Sequence, residues 1–344
     1  MKFKDLVEKL GKLVTSSSET PDLEIAGVSA IADSVPNTLT YAESTKYLAE
    51  LEVTQASAVI LPANEKLQAA AIDLNLAWII TPQPRLVFAQ AIALFYQPYK
   101  PSPQIHPTAV IDPSAQIGAD VFIGAYTVIN SGVKIGDRVC IHPGVIIYPG
   151  ASVGDRTVLH AKSVIHERAQ IGADCVIHAG AVIGSEGFGF VPTREGWLKM
   201  EQSGYTVLED GVEVGCNSTI DRPAVGETRI GRNTKIDNQV QIGHGVKVGE
   251  ACAFAAQVGI AGGSTIGNRV ILAGQVGVGN ESKMGDGSIA SAKAGIIASV
   301  EPGKTMSGYP ALEHKAFLRS SILYSRLHEM YQTIKQIQKR LDES

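Results

Sequence analysis

The chain has 344 residues, a formal net charge of −4, 44% hydrophobic residues and four cysteines. This length suits about two domains. The mild acidity without a basic run argues against a nucleic-acid protein, and no stretch nears the roughly 20 apolar residues of a membrane span.

The N-terminus, Met1 to Leu10, is charged throughout and reads as the start of an amphipathic helix over Asp5–Val14, not as a signal peptide. Short apolar runs at 58–61 and 77–80 are predicted strands, and 86–96 a helix, so residues 1–100 form a small α/β domain. Pro98, Pro101, Pro103 and Pro107 mark a linker. From Ile105 an aliphatic residue then returns at every sixth position without a break to Ile183. The fifth place of each hexad is small or β-branched, as in Ala115, Val121, Thr127 and Val133, and Gly often follows the aliphatic, as in Gly118, Gly124 and Gly136.

Such repetition predicts a parallel β-helix over residues 101–306. Positions one and five share parity and face inward, while the glycine-rich positions between them supply the corners. Three sides close a coil, and coils stack at roughly 4.8 Å, so residues three hexads apart become neighbours. The phase breaks at Ser185–Val207, predicted to be a loop thrown out from the coil, and an insertion at Gly226–Arg229 shifts it again. It then runs from Ile230 to about Ile296. Residues 307–344 change period: Leu323, Leu327, Met330, Ile334, Ile337 and Leu341 form a heptad seam, expected to pack on copies of itself.

The cysteines, at 140, 175, 216 and 252, form no CxxC pair, and Cys175 and Cys252 fall at inward positions. That pattern fits a reduced, cytoplasmic protein. His142, His160 and His178 recur at the three-hexad spacing. A single file of imidazoles does not converge tetrahedrally on one ion, so no metal is expected there. His244 stands in a turn between Gly243 and Gly245, and three hexads later comes Gly262. A histidine beside an unscreened backbone amide is the minimum for acyl transfer, one taking a proton and the other holding an oxyanion. The spacing alone leaves a purely structural histidine open.

Four stretches resemble the UDP-3-O-acylglucosamine N-acyltransferases of lipid A biosynthesis: Ile183–Phe190, Thr219–Arg222, Lys235–His244 and Ser307–Ala311. The resemblance covers essentially the whole chain. It implies a left-handed β-helix, an N-terminal uridine-binding domain, a C-terminal helical extension and a homotrimer with active sites between subunits. The implied reaction moves a 3-hydroxyacyl chain from acyl carrier protein to the 2-amine of UDP-3-O-acylglucosamine, without a cofactor. His244 matches the family's general base and Gly262 its oxyanion amide. Tyr41 and Tyr47 would flank the uracil, with Ser44 where the family usually has Asn. Asp237, Gln241 and Glu281 complete the expected substrate-binding set. Glu281 stands where many members carry a second active-site histidine, and Gly245 where Asn often follows the first. Lys315, Arg319 and Arg326, at helical spacing after the coil, are candidates for docking the acidic carrier protein. The sister O-acyltransferase, a γ-type carbonic anhydrase and a non-catalytic scaffold share the coil. The first of these starts its hexads near the N-terminus, whereas this chain spends about a hundred residues before them.

Overall fold

The computed structural model describes residues 1–20, 22–308 and 314–342. Tyr309, Pro310 and Ala311 of the last resembling stretch therefore lie outside the described residues. The chain divides into two units, residues 1–100 and 101–344.

The first unit is a five-stranded sheet in the order Ser16–Ser17, Ala77–Ile80, Ala58–Leu61, Thr38–Tyr41, Gly27–Val28, parallel except for the edge strand Ser16–Ser17. Ala58–Leu61 is buried along its whole length, as a central parallel strand covered on both faces must be. Helices Phe3–Leu10 and Pro84–Phe95 contribute to the apolar cluster around Ile60 and Ile79. Helices Leu48–Val53 and Glu65–Asp73 contribute to a second one, around Val59 and Leu61. The latter two helices are not apparent in the apolar periodicity. Glu65–Asp73 buries only Leu67 and Ala71 and starts where the Asn64 side chain accepts the Leu67 N–H at 3.2 Å.

The second unit is the left-handed parallel β-helix of hexapeptide repeats. Its two-residue strands build three sheets. The first face contains Phe122–Ile123 and Cys140–Ile141, the second Val128–Ile129 and Ile146–Ile147, the third Lys134–Ile135 and Ser152–Val153. Pairing is in register, Ile123 on Ile141, Ile129 on Ile147 and Ile135 on Val153. The aliphatic residues are therefore stacked into one buried column. Some hydroxyls at the inward fifth position donate to carbonyls of the next coil, as Thr157 Oγ1 to Gly172 O at 2.8 Å and Ser264 Oγ to Gly279 O at 2.9 Å, whereas those of Ser163, Ser282 and Ser288 have no partner among the described residues.

The corners differ from the expectation in one respect. Left-handed backbone falls at the fourth hexad position and is held mostly by residues with side chains, among them Asp120, Arg138, Arg156 and Asp174. Each of the last three donates its N–H to the preceding coil, at 2.7 to 2.8 Å, which offsets the cost of about 1 kcal/mol per residue of that conformation. The glycines at position two serve close approach instead: a Cβ on Gly154 would lie 2.6 Å from Gly172 C and Ala173 N.

The excursion at 185–207 is more ordered than a loop. It carries an antiparallel hairpin, Phe190–Thr193 with Gly196–Lys199, before the coil resumes at Tyr205–Leu208. The helix His314–Asp342 buries none of its described side chains, and its seam residues stay exposed. Among the described residues no helix is long and apolar enough to cross a membrane, and all four cysteines are free thiols.

Because the obstacle to a side chain at position two is rigid backbone, Gly154→Ala is expected to destabilise the coil by about 1–3 kcal/mol. Chemical denaturation of the two proteins checks this, and an unchanged midpoint would show that adjacent coils can spread.

Candidate active site

His244 follows strand Gln241–Ile242 at the corner leaving the second face. Its carbonyl accepts the Gly263 N–H at 2.9 Å, which ties it to the next coil. The flanking glycines are required: Gly245 has φ +68°, and a Cβ on Gly243 would press to 2.8 Å of Gly262 N. A Cβ on Gly262 would lie 2.6 Å from His244 Nε2, so the imidazole lies directly against the Gly262 backbone. At another corner the equivalent amides of Ala119, Asp137 and Ala173 each donate to an aspartate of the next coil at 2.8 to 2.9 Å. Among the described residues the Gly262 N–H donates to no protein group.

The other wall is the 185–207 excursion. Gly187 packs so tightly that a Cβ would come 2.5 Å from His244 Cβ, and Phe188 and Phe190 meet edge to face at 5.1 Å. Together with Asp221, Gln241, Lys199 and Asn280 they line a cleft of about 650 Å³. Asp221 accepts hydrogen bonds from Ser185 Oγ at 2.8 Å and Gln241 Nε2 at 2.9 Å. Burial raises its carboxyl above the usual range, opposed by the Ser185 hydroxyl, the His244 ring and the Gln241 amide.

The excursion is bolted down by Arg222, 5% exposed. Its guanidinium donates to Gln202 O at 2.7 Å and Gly184 O at 2.8 Å, and pairs with Glu167 at 2.7 Å and Glu186 at 3.4 Å. Glu186 in turn holds Lys199 of the hairpin at 2.6 Å. Neither Arg222 nor Asp221 was singled out from the sequence as functional, although Thr219–Arg222 is one of the family-like stretches.

The expected site residues are not all in one place. Gly262 and Gln241 share the cleft with His244. Glu281 donates its N–H to Gly262 O at 3.2 Å, its side chain exposed. Asp237 lies in a different groove, of about 830 Å³, on the first face with His178, Glu213, Lys235, Phe254 and Ile271. In the first unit Tyr41 stacks on Phe88 at 4.5 Å and 29°, Ser44 precedes the turn Thr45–Tyr47, and Tyr47 packs half-buried beside the second apolar cluster. Lys315, Arg319 and Arg326 are exposed on the terminal helix, Arg326 paired with Glu329 at 3.2 Å. The His142, His160 and His178 rings stack in parallel at 5.0 Å and 3°, and burial pushes the first two below the ordinary imidazole range. Among the described residues no group of three or more histidines, cysteines or carboxylates gathers to hold a metal ion.

Comparison with known proteins agrees with the fold at two scales. A family model described as UDP-3-O-(3-hydroxymyristoyl) glucosamine N-acyltransferase matches residues 22–94, and one for bacterial transferase hexapeptides (six repeats) matches 227–262. The chain is 63% identical over 348 residues to a UDP-3-O-acylglucosamine N-acyltransferase of Rippkaea orientalis, covering 100% of both. It is 60% identical over 345 residues to one from Synechocystis sp., covering 98% of this chain and 100% of the relative. Among solved structures, a UDP-N-acetylglucosamine O-acyltransferase from Moraxella catarrhalis has TM-score 0.50 and 28% identity, covering 66% of this chain and 83% of that one. An Arabidopsis UDP-N-acetylglucosamine acyltransferase, at TM-score 0.56 and 24% identity over 60% of this chain and 71% of its own, shares the fold.

Arg222→Met leaves the Gln202 and Gly184 carbonyls without their buried donor, and is expected to cost about 1–3 kcal/mol. Urea denaturation tests it, and a loss under about 1 kcal/mol would mean the excursion is held by other contacts.

Proposed function

The chain belongs to the family of UDP-3-O-acylglucosamine N-acyltransferases, and on that premise we propose how its residues carry the reaction. The 2-amine of UDP-3-O-acylglucosamine attacks the thioester carbonyl of a 3-hydroxyacyl chain carried by acyl carrier protein. His244 takes the amine proton as the N–C bond forms, and the Gly262 N–H holds the oxyanion. Collapse breaks the C–S bond, and the carrier thiolate leaves to take up a proton. The observation that carries this reading is the Gly262 amide, undonated and lying against the imidazole edge.

The same reading makes the active assembly a trimer in the cytoplasm. The first residue of each coil strand points outward. On the first face these are Phe122, Cys140, Val158 and Val176, and on the second Val128, Ile146, Val164, then Gly259 and Gly277. The third face presents Lys134, Ser152, Gln170, Arg229 and Lys247. Up to the excursion, two apolar faces beside one polar face suit a closed ring in which one face of each copy meets the other face of the next. That closure would set the Asp237 groove of one copy toward the His244 cleft of its neighbour, and make the acceptor site from both. Tyr41 and Tyr47 grip the uracil, with Ser44 beside them. Gln241 and Glu281 line the acceptor side. Lys315, Arg319 and Arg326 receive the acidic carrier protein, and the exposed seam Leu323 to Leu341 forms a three-helix bundle.

His244→Ala is expected to lower acyl transfer at least about 100-fold while the protein sediments and melts as before. A variant retaining most of its activity would remove the histidine from the mechanism. For the assembly, Leu327→Asp with Ile334→Asp should weaken the trimer in sedimentation without melting the coil, since about three heptads add only part of the association. A monomeric wild-type protein would refute the intersubunit site.

A further inference from the structure

Asp221 is the group of the cleft that no step above uses. It follows Ile220, which pairs with Ile242, so it sits one coil before the Gly243–His244 turn, while Gly262 sits one coil after it. Acid, imidazole and amide are thus stacked in that order along the coil axis. The carboxylate is held in place from two sides, Ser185 Oγ on Oδ1 at 2.8 Å and Gln241 Nε2 on Oδ2 at 2.9 Å. The Gln241 side chain is itself fixed by the Thr219 hydroxyl. The two donors oppose the upward push of burial on this carboxyl and prevent it from turning away. Among the described residues nothing hydrogen-bonds the His244 imidazole, so what Asp221 supplies to it is charge across the shared cleft and not a tether.

The charged groups of the hairpin wall and of the Asp221 strand are already committed, and among the described residues only Glu281 adds a carboxylate on the far side of Gly262. Glu186 and Lys199 of the hairpin wall neutralise each other at 2.6 Å. Arg222, the neighbour of Asp221 on the same strand, turns its guanidinium into Glu167 and the excursion. Glu281 lies on the coil beyond Gly262, in contact range of Gly263.

We propose, resting on the acyl-transfer reading, that Asp221 is a positioning residue for catalysis: its fixed anionic carboxylate stabilises the imidazolium that His244 becomes on taking the amine proton. A base flanked by an orienting anion and facing an oxyanion donor is the general logic of acyl-transfer sites. Here the anion comes from the preceding coil and acts through the cleft. Removing the charge leaves the imidazolium without its partner as the amine proton moves, so kcat falls while binding of the nucleotide sugar is kept.

The test is the steady-state kinetics of acyl transfer by the full-length protein, with hydroxyacyl-acyl carrier protein and UDP-3-O-acylglucosamine as substrates. Asp221→Asn is expected to lower kcat roughly 10-fold. KM for the nucleotide sugar should change little. Should the Asn variant fail to fold, Asp221→Ser, which keeps a hydroxyl for its two donors without the charge, carries the same expectation. An unchanged kcat, or a loss confined to KM for the nucleotide sugar, overturns the proposal and makes Asp221 a structural or acceptor-binding residue. Full activity of His244→Ala in the same assay overturns the acyl-transfer mechanism itself, which separates the two failures.

Discussion

Everything in the larger unit depends on one constraint, the spacing between successive coils. Strands of two residues have too few hydrogen bonds to persist alone; they hold because each is paired above and below, in a register of eighteen residues. That spacing leaves no room at the inner edge of the corner, which is why Gly118, Gly136, Gly154 and Gly172 face backbone where a Cβ would stand. From Asp120 onward it also puts most fourth hexad residues into left-handed backbone, those with side chains included. The interior column of Ile, Val and Leu follows from the same spacing, since any break in phase would turn an aliphatic residue out to water.

A coil this regular has no interior for chemistry, so a site has to come from a departure. The excursion at 185–207 is that departure. It leaves after Ile183, folds over the His244 corner, and is fastened by Arg222 before the coil resumes at Tyr205. The hairpin itself is exposed, Trp197 being 72% accessible, as is Phe188 before it at 82%. Its placement relies on buried charge more than on apolar packing. Buried ion pairs are weak sources of stability but direct geometry well, and here the geometry obtained is a wall pressed against a histidine.

How much of this was legible in the sequence depends on whether the register is intact. The coil, its inward residues and the neighbour relation between His244 and Gly262 follow from counting eighteen, and the chain obeys that count from 230 onward. Asp221 was not legible because the excursion breaks the count before it and the insertion at Gly226–Arg229 breaks it after. Its partners Ser185 and Gln241 lie 36 and 20 residues away. The position-two glycines were read as turn formers, but their need arises from the next coil and not from their own φ. In the first unit the helix Glu65–Asp73 escaped because its buried face amounts to Leu67 and Ala71, too short a stripe to show a period. The lone local sign was Asn64 at its start. The tail showed its seam because heptad spacing is local.

The two departures from perfect repetition also divide the labour of the molecule. Before the excursion the first and second faces present a continuous outward lining of Val, Ile, Phe and Cys, which suits burial against another copy. After it the same columns change character, to Glu213, Lys235 and Ala253 on the first face and Gln241, Gly259 and Gly277 on the second. Small and polar residues there cannot fill a dry interface; they leave grooves. The two grooves of the coil, around Asp237 and around His244, both fall in this later part. The early coils are thus built to close the proposed ring, and the later coils to keep it from closing completely. The space so retained lies where Asp221, His244 and the Gly262 amide follow one another along the coil.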